Sequence, residues 1–172
     1  TPTTQDLFIG LDAGQARVVG SADGNPERYI RDYGISAAGQ ALGIPATVTV
    51  SGAAAYNNSY EASSVQAFAA AGDPSLLRVA QVDYVKPEQM QSMEFGFRGK
   101  LSRTFTVDAA VYRNDFQDFI NTQVVLSPLY GEVGDGGLSV LAMANQDFET
   151  WSSYTNSPAE ISSWGVSIGM AT

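Results

Sequence analysis

Residues 90–116 read MQSMEFGFRGKLSRTFTVDAAVYRNDF, two strand-length runs without proline joined by a short basic turn. Met93, Phe95, Phe97, Phe105, Val107, Ala109 and Val111 fall on alternate positions. A period of two sends these side chains to one face of a sheet and Glu94, Gly96, Arg98, Thr106, Asp108 and Ala110 to the other. The runs cover residues 89–100 and 104–116. Ordinary strands average about five or six residues, whereas a tilted strand of about 9–11 crosses a bilayer. A third run, ISSWGVSIGMA from Ile161, alternates again, with Trp164, Val166, Ile168 and Met170 opposite Ser163, Gly165, Ser167, Gly169 and Ala171. An apolar face behind a small, polar one suits lipid outside and a wet lumen inside. The same pattern fits an antiparallel sheet that covers a soluble core with one face in water.

Composition narrows the chemistry. The 172 residues carry a net charge of −9, which argues against a nucleic-acid partner. With no Cys and no His there is no disulfide framework, no thiolate chemistry, and neither the commonest metal ligand nor the commonest general base. No run has the length of a transmembrane helix. The chain opens at Thr1 without Met or a leader pattern, as expected for a processed or excised piece. Gly165-Val166-Ser167-Ile168-Gly169 matches the G-x-S-x-G nucleophile elbow, but with no His to activate the serine and strict alternation around it, the stretch reads as a strand. Gly134-Asp135-Gly136-Gly137 and Asp23-Gly24-Asn25 read as turns, since neither has the spaced acidic ladder of a calcium loop. No catalytic, cofactor or metal residue is assigned, and an enzyme is not expected.

Charge is uneven along the chain. Arg98, Lys100 and Arg103 crowd the hairpin turn. After Arg113 no Lys or Arg follows, while Asp115, Asp118, Glu132, Asp135, Asp147, Glu149 and Glu160 do.

Residues 1–83 read as a loop region with short helices. Asn25-Pro26-Glu27 looks like a cap with Pro at the first helical position, and Asp73-Pro74 repeats the device. Ser63 or Ser64 would cap a segment through Val65 and Phe68 that stops at Gly72. Residues 47–50, TVTV, make at most a short strand. A loop region this long calls for a rigid scaffold. Residues 121–160 are expected to form a second loop. Between Tyr130 and Tyr154 it holds aromatics among acids with no positive charge, so Tyr130, Asp135, Trp151 and Tyr154 are the candidate ligand contacts. A sugar, a peptide or a cation would suit such a set, and so would a loop packing on itself.

The run YVKPEQMQSMEFGFRGKLSRTFTVDAAVYRNDFQDFI, residues 84–120, resembles the late-barrel hairpin of TonB-dependent outer-membrane receptors, most closely those of Bacteroidetes-type bacteria. Lys86-Pro87-Glu88 precedes a strand carrying Ser92, Glu94, Gly96, Arg98 and Gly99, then a tight turn, then a strand ending Tyr112, Asn114, Asp115, Phe116 and Asp118. The opening TPTTQDLFIGL and the closing Asn156 and Ser163-Trp164-Gly165-Val166 are similar to family segments in the same order. The resemblance implies a mainly β fold: about three long antiparallel strands of a transmembrane β-barrel, with long loops carrying short helices. Residues 84–120 would be a barrel hairpin with its periplasmic turn near 101–103. Residues 161–172 would be a further strand, and 1–83 and 121–160 extracellular loops.

It also implies a fragment of the C-terminal barrel region of an energised transporter that captures an extracellular ligand, because three strands cannot close a barrel and open edges are not tolerated in hydrocarbon. The implied partners are the rest of the barrel and plug, the TonB complex reached through that plug, outer-membrane lipid and a lid lipoprotein. The competing reading is a soluble or surface-displayed β-rich binding or adhesion domain.

Overall fold

The computed structural model describes residues 2–171. Its strands are β1 (Gly10–Asp12), β2 (Arg17–Val19), β3 (Ile30–Gly34), β4 (Thr47–Ser51), β5 (Tyr60–Glu61), β6 (Gln89–Lys100), β7 (Thr106–Gln117), β8 (Ile120–Pro128), β9 (Phe148–Asn156) and β10 (Ile161–Ala171). The helices are short: α1 (Thr4–Phe8), α2 (Asn25–Arg28), α3 (Ala37–Ala41), α4 (Ala54–Asn57), α5 (Ala62–Ala71) and α6 (Leu138–Ala144), with a 3-10 turn at Pro74–Leu76. The fold is mainly β, with long antiparallel strands, as expected.

The chain divides into two units. Residues 87–119 and 157–171 form an antiparallel sheet in the order β10-β7-β6. β6 pairs with β7 from Gln89↔Gln117 to Lys100↔Thr106, and β10 with β7 from Ile161↔Phe116 to Ala171↔Thr106. The turn spans residues 101–105, two longer than expected, and is closed by the Leu101 and Ser102 amides donating to the Phe105 carbonyl at 2.9 and 3.3 Å.

Residues 2–86 and 120–156 form the other unit, built on a five-stranded sheet in the order β1-β2-β9-β8-β5, with β3 and β4 as a separate pair. The β2–β9 pairing is parallel and the others are antiparallel. Val19, Ala55, Val82, Val125 and Trp151 make one core cluster; Tyr60, Val65, Phe68, Leu126 and Met143 make a second; Ile35, Leu129, Tyr130 and Ala142 make a third.

The local signals in the first eighty residues hold with small shifts. α2 begins at Asn25, capped by Gly24 in the left-handed region, and Asp73 accepts from the Ser75 amide at 2.9 Å to start the 3-10 turn. α5 ends at Gly72, whose φ of 70° a side chain rarely adopts. Its N-cap is Glu61 rather than a serine; the Ser64 hydroxyl instead donates to the Glu61 carbonyl at 2.8 Å.

The larger difference lies in residues 121–160. No strand was expected there, yet β8 and β9 pair over nine positions and enclose α6. In β9 the buried positions are Trp151, Ser153 and Thr155. Two of these three inward residues are polar, so hydropathy does not alternate even though burial does. Residues 2–83 are likewise folded onto the sheet through β1, β2 and β5 rather than held as a loop.

Candidate membrane sheet and ligand-facing residues

Register turns the sequence period into rows across three strands. On one face of the β10-β7-β6 sheet lie Met93, Arg113 and Trp164; then Phe95, Val111 and Val166; then Phe97, Ala109 and Ile168; then Gly99, Val107 and Met170. Several of the apolar side chains in these rows are open to solvent: Phe95 is 72% exposed, Trp164 76% and Ile168 63%. From Met93 to Gly99 the band covers six residue steps, about 20 Å at about 3.4 Å each. Tilted near 40° it rises about 16 Å, within the roughly 25 Å apolar band of a transmembrane barrel.

At one end the band stops at a polar row of Gln91, Asp115 and Ser162. There Arg113 Nε pairs with Asp115 at 3.0 Å, beside the exposed Trp164 ring. Phe116 and Phe119, with ring centroids 6.0 Å apart, lie near the same strand end. An amphipathic aromatic beside a charge is what a membrane interface accommodates.

The opposite face is small or polar. Ser92 donates to Asn114 Oδ1 at 2.7 Å, and Arg98 Nε sits 3.4 Å from Asp108. Gly96, Ala110 and Ser167 form a row of small residues. In the next row Tyr112 lies across Gly165, where a Cβ would run into its ring. The aromatic shields a backbone that has no side chain of its own. The same register disposes of the nucleophile-elbow motif: residues 165–169 run straight inside β10, and Ser167 is an ordinary strand residue.

The candidate ligand contacts fall elsewhere, in the other unit. Trp151 is fully buried, edge-on to Tyr29 with centroids 5.8 Å apart, and belongs to the core. Tyr130 is buried too, and its hydroxyl donates to Asp147 Oδ2 at 2.9 Å while accepting from Asn145 Nδ2 at 3.0 Å. Burial first, and then the adjoining carboxylate, raise this phenol above its ordinary value. Both residues pack in the interior of the larger unit, Trp151 in one core cluster and Tyr130 in another. The pairing of Trp151 with Val125 and Arg17 turns the indole inward, whereas Tyr130 lies beyond the end of β8.

Asp135 is exposed, but its oxygens are engaged locally. Oδ1 accepts from the Gly137 amide at 2.8 Å and the Ser139 hydroxyl, and Oδ2 from the Glu132 amide at 3.1 Å. These bonds, led by Ser139, hold its carboxyl below the usual range. They identify the 134–137 stretch as a structured turn at the entrance to α6. Among the described residues no group of three acidic side chains converges on a metal-sized site. Tyr154 is half-buried, and its carbonyl accepts from the Tyr56 hydroxyl at 3.1 Å. The structure therefore does not bring the four candidates into one site.

One concave feature was not foreseen. A groove of about 460 Å³ is lined mainly by Val65, Phe68, Leu126, Met143 and Phe148, with Gln146 among its lining residues at a φ of 60°. Its residues come from α5, β8, α6 and β9, so no contiguous motif marks it.

The family described as TonB dependent receptor-like, beta-barrel matches residues 37–171. Comparisons with curated proteins and with solved structures found no match. The family match runs through all three strands of the two-faced sheet and most of the second unit. The chain belongs to the TonB-dependent receptor-like β-barrel family.

Proposed function

We propose that this chain supplies part of the wall and outer loops of a bacterial outer-membrane transporter, the class of protein and the location that its family implies. Receptors of this kind are generally transporters rather than enzymes. The observation that carries the reading is the two-faced register of β6, β7 and β10. Phe95, Val111 and Val166 would meet lipid, while Glu94, Tyr112 and Gly165, one position along, would face the lumen. Only full pairing of the outer strands with further barrel strands keeps their backbone groups satisfied in hydrocarbon.

In this reading residues 101–105 form the periplasmic turn, and residues 1–83 and 121–160 are extracellular. The ligand is captured on the outside and taken up with energy delivered by the TonB complex through a plug elsewhere in the receptor. Tyr154 and the exposed loop around Asp135 are the sequence candidates that retain access to a ligand, and a lid lipoprotein over this outer side fits the same arrangement. The hairpin motif in residues 84–120 favours the Bacteroidetes-type receptors.

The test is alternate labelling. In the receptor that contains this chain, single cysteines replacing Phe95, Phe97, Val166 and Ile168 should react with a lipid-soluble thiol reagent and resist a charged one. Cysteines replacing Gly96 and Ser167 should show the reverse. Equal reaction of both sets with the charged reagent would support the soluble binding or adhesion domain instead.

A further inference from the structure

The hairpin turn of the membrane sheet has a character that the transport reading leaves unused. From Phe95 to Val107 the chain carries Arg98, Lys100 and Arg103 and no carboxylate, in a molecule whose net charge is −9. Arg98 is occupied by Asp108 at 3.4 Å. Lys100 and Arg103 are exposed, and among the described residues neither has an ion-pair partner. The turn itself, Leu101-Ser102-Arg103-Thr104-Phe105, is held locally by Ser102, whose hydroxyl accepts from the Thr104 amide at 3.3 Å. It places Leu101, 65% exposed, between the two free cations.

These groups stand where the apolar band ends. Gly99, Val107 and Met170 form its last row, Lys100 is the last residue of β6, and Arg103 lies in the middle of the turn. Lys and Arg at such a boundary extend their charged ends to the headgroups while their stems stay on apolar surface. We propose that this turn is a docking site for anionic phospholipid headgroups, with Lys100 and Arg103 on the phosphates and Leu101 in the acyl boundary. Charge complementarity selects the occupant, since Lys100 and Arg103 have no ion-pair partner among the described residues and the turn holds no carboxylate, which disfavours a cationic or neutral partner. Each cation near an anionic bilayer surface is worth about a fivefold preference. Together they give about 25-fold.

The inference rests on the membrane-wall reading, and the experiment keeps the two apart. The intact receptor and its Lys100→Gln/Arg103→Gln variant are reconstituted in discs of zwitterionic phospholipid doped with anionic phospholipid, and the lipid retained by each is measured by native mass spectrometry. The receptor should retain anionic lipid selectively, and the variant should insert equally well but lose most of that selectivity. Leu101→Ser should weaken retention of both lipid classes. Equal selectivity in receptor and variant, both inserted, overturns the lipid site and leaves the wall reading intact. Release of the lipid by millimolar inorganic phosphate marks a free-phosphate site and also overturns it. A receptor that stays in water and never enters the discs overturns both.

Discussion

Tyr112 lies directly across Gly165 on the polar face of the β7–β10 pair, so close that a methyl group on Gly165 would meet its ring. Gly165→Ala should cost about 1–3 kcal/mol through overpacking. Tyr112→Ala should relieve that strain, so that the double variant is more stable than the sum of the single losses predicts. Denaturant titration of the receptor in detergent reads all three.

Asp147 is buried and accepts three hydrogen bonds, from the Ser36 amide and hydroxyl, both at 2.8 Å, and from Tyr130 at 2.9 Å. It ties the start of α3 to the β9 end of the larger unit, and Gly39 is small because a Cβ there would sit 2.6 Å from the carboxylate. Asp147→Ala should lose about 3 kcal/mol, since it strands buried donors, whereas Tyr130→Phe should lose only about 1 kcal/mol. Chemical unfolding followed by near-ultraviolet circular dichroism checks the order.

Tyr33 is pushed up to about 12, first by burial and then by the nearby Glu149 carboxylate. A phenol whose folded pKa is raised contributes stability that is fully present below its unfolded value near 10 and lost as pH rises through about 12. Spectrophotometric titration should show a late class of tyrosines. Tyr33→Phe should remove one member of that class and flatten the loss of stability between about pH 10 and 12.

A charge in the middle row of the apolar face should be far worse than a charge one residue away. Val166→Arg should cost about 2–4 kcal/mol at the membrane midplane, while Ser167→Arg, facing the lumen, should be nearly neutral for folding. The yield of heat-modifiable receptor in the membrane measures the difference.

Legibility differed between the two units for a physical reason. β6 and β10 match the expected boundaries because apolar residues fall at every second position, which leaves Phe95, Phe97, Val166 and Ile168 in plain alternation. β8 and β9 escaped because the core of the larger unit admits Ser127, Ser153 and Thr155 among its buried residues. Trp151 and Tyr130 looked like ligand contacts because aromatics among acids suit both a binding surface and a packed loop. Only the pairing of Trp151 with Val125 and Arg17 shows that the indole faces a core. The turn at Asp135 was readable from its glycines; the Ser139 and Gly137 partners that lower its carboxyl were not.

The most direct measurement is the intact mass and detergent dependence of the protein as the cell makes it. The account predicts a much larger outer-membrane protein that contains these 172 residues and leaves the membrane only in detergent. A detergent-free, cooperatively folded monomer of 18.2 kDa would contradict it.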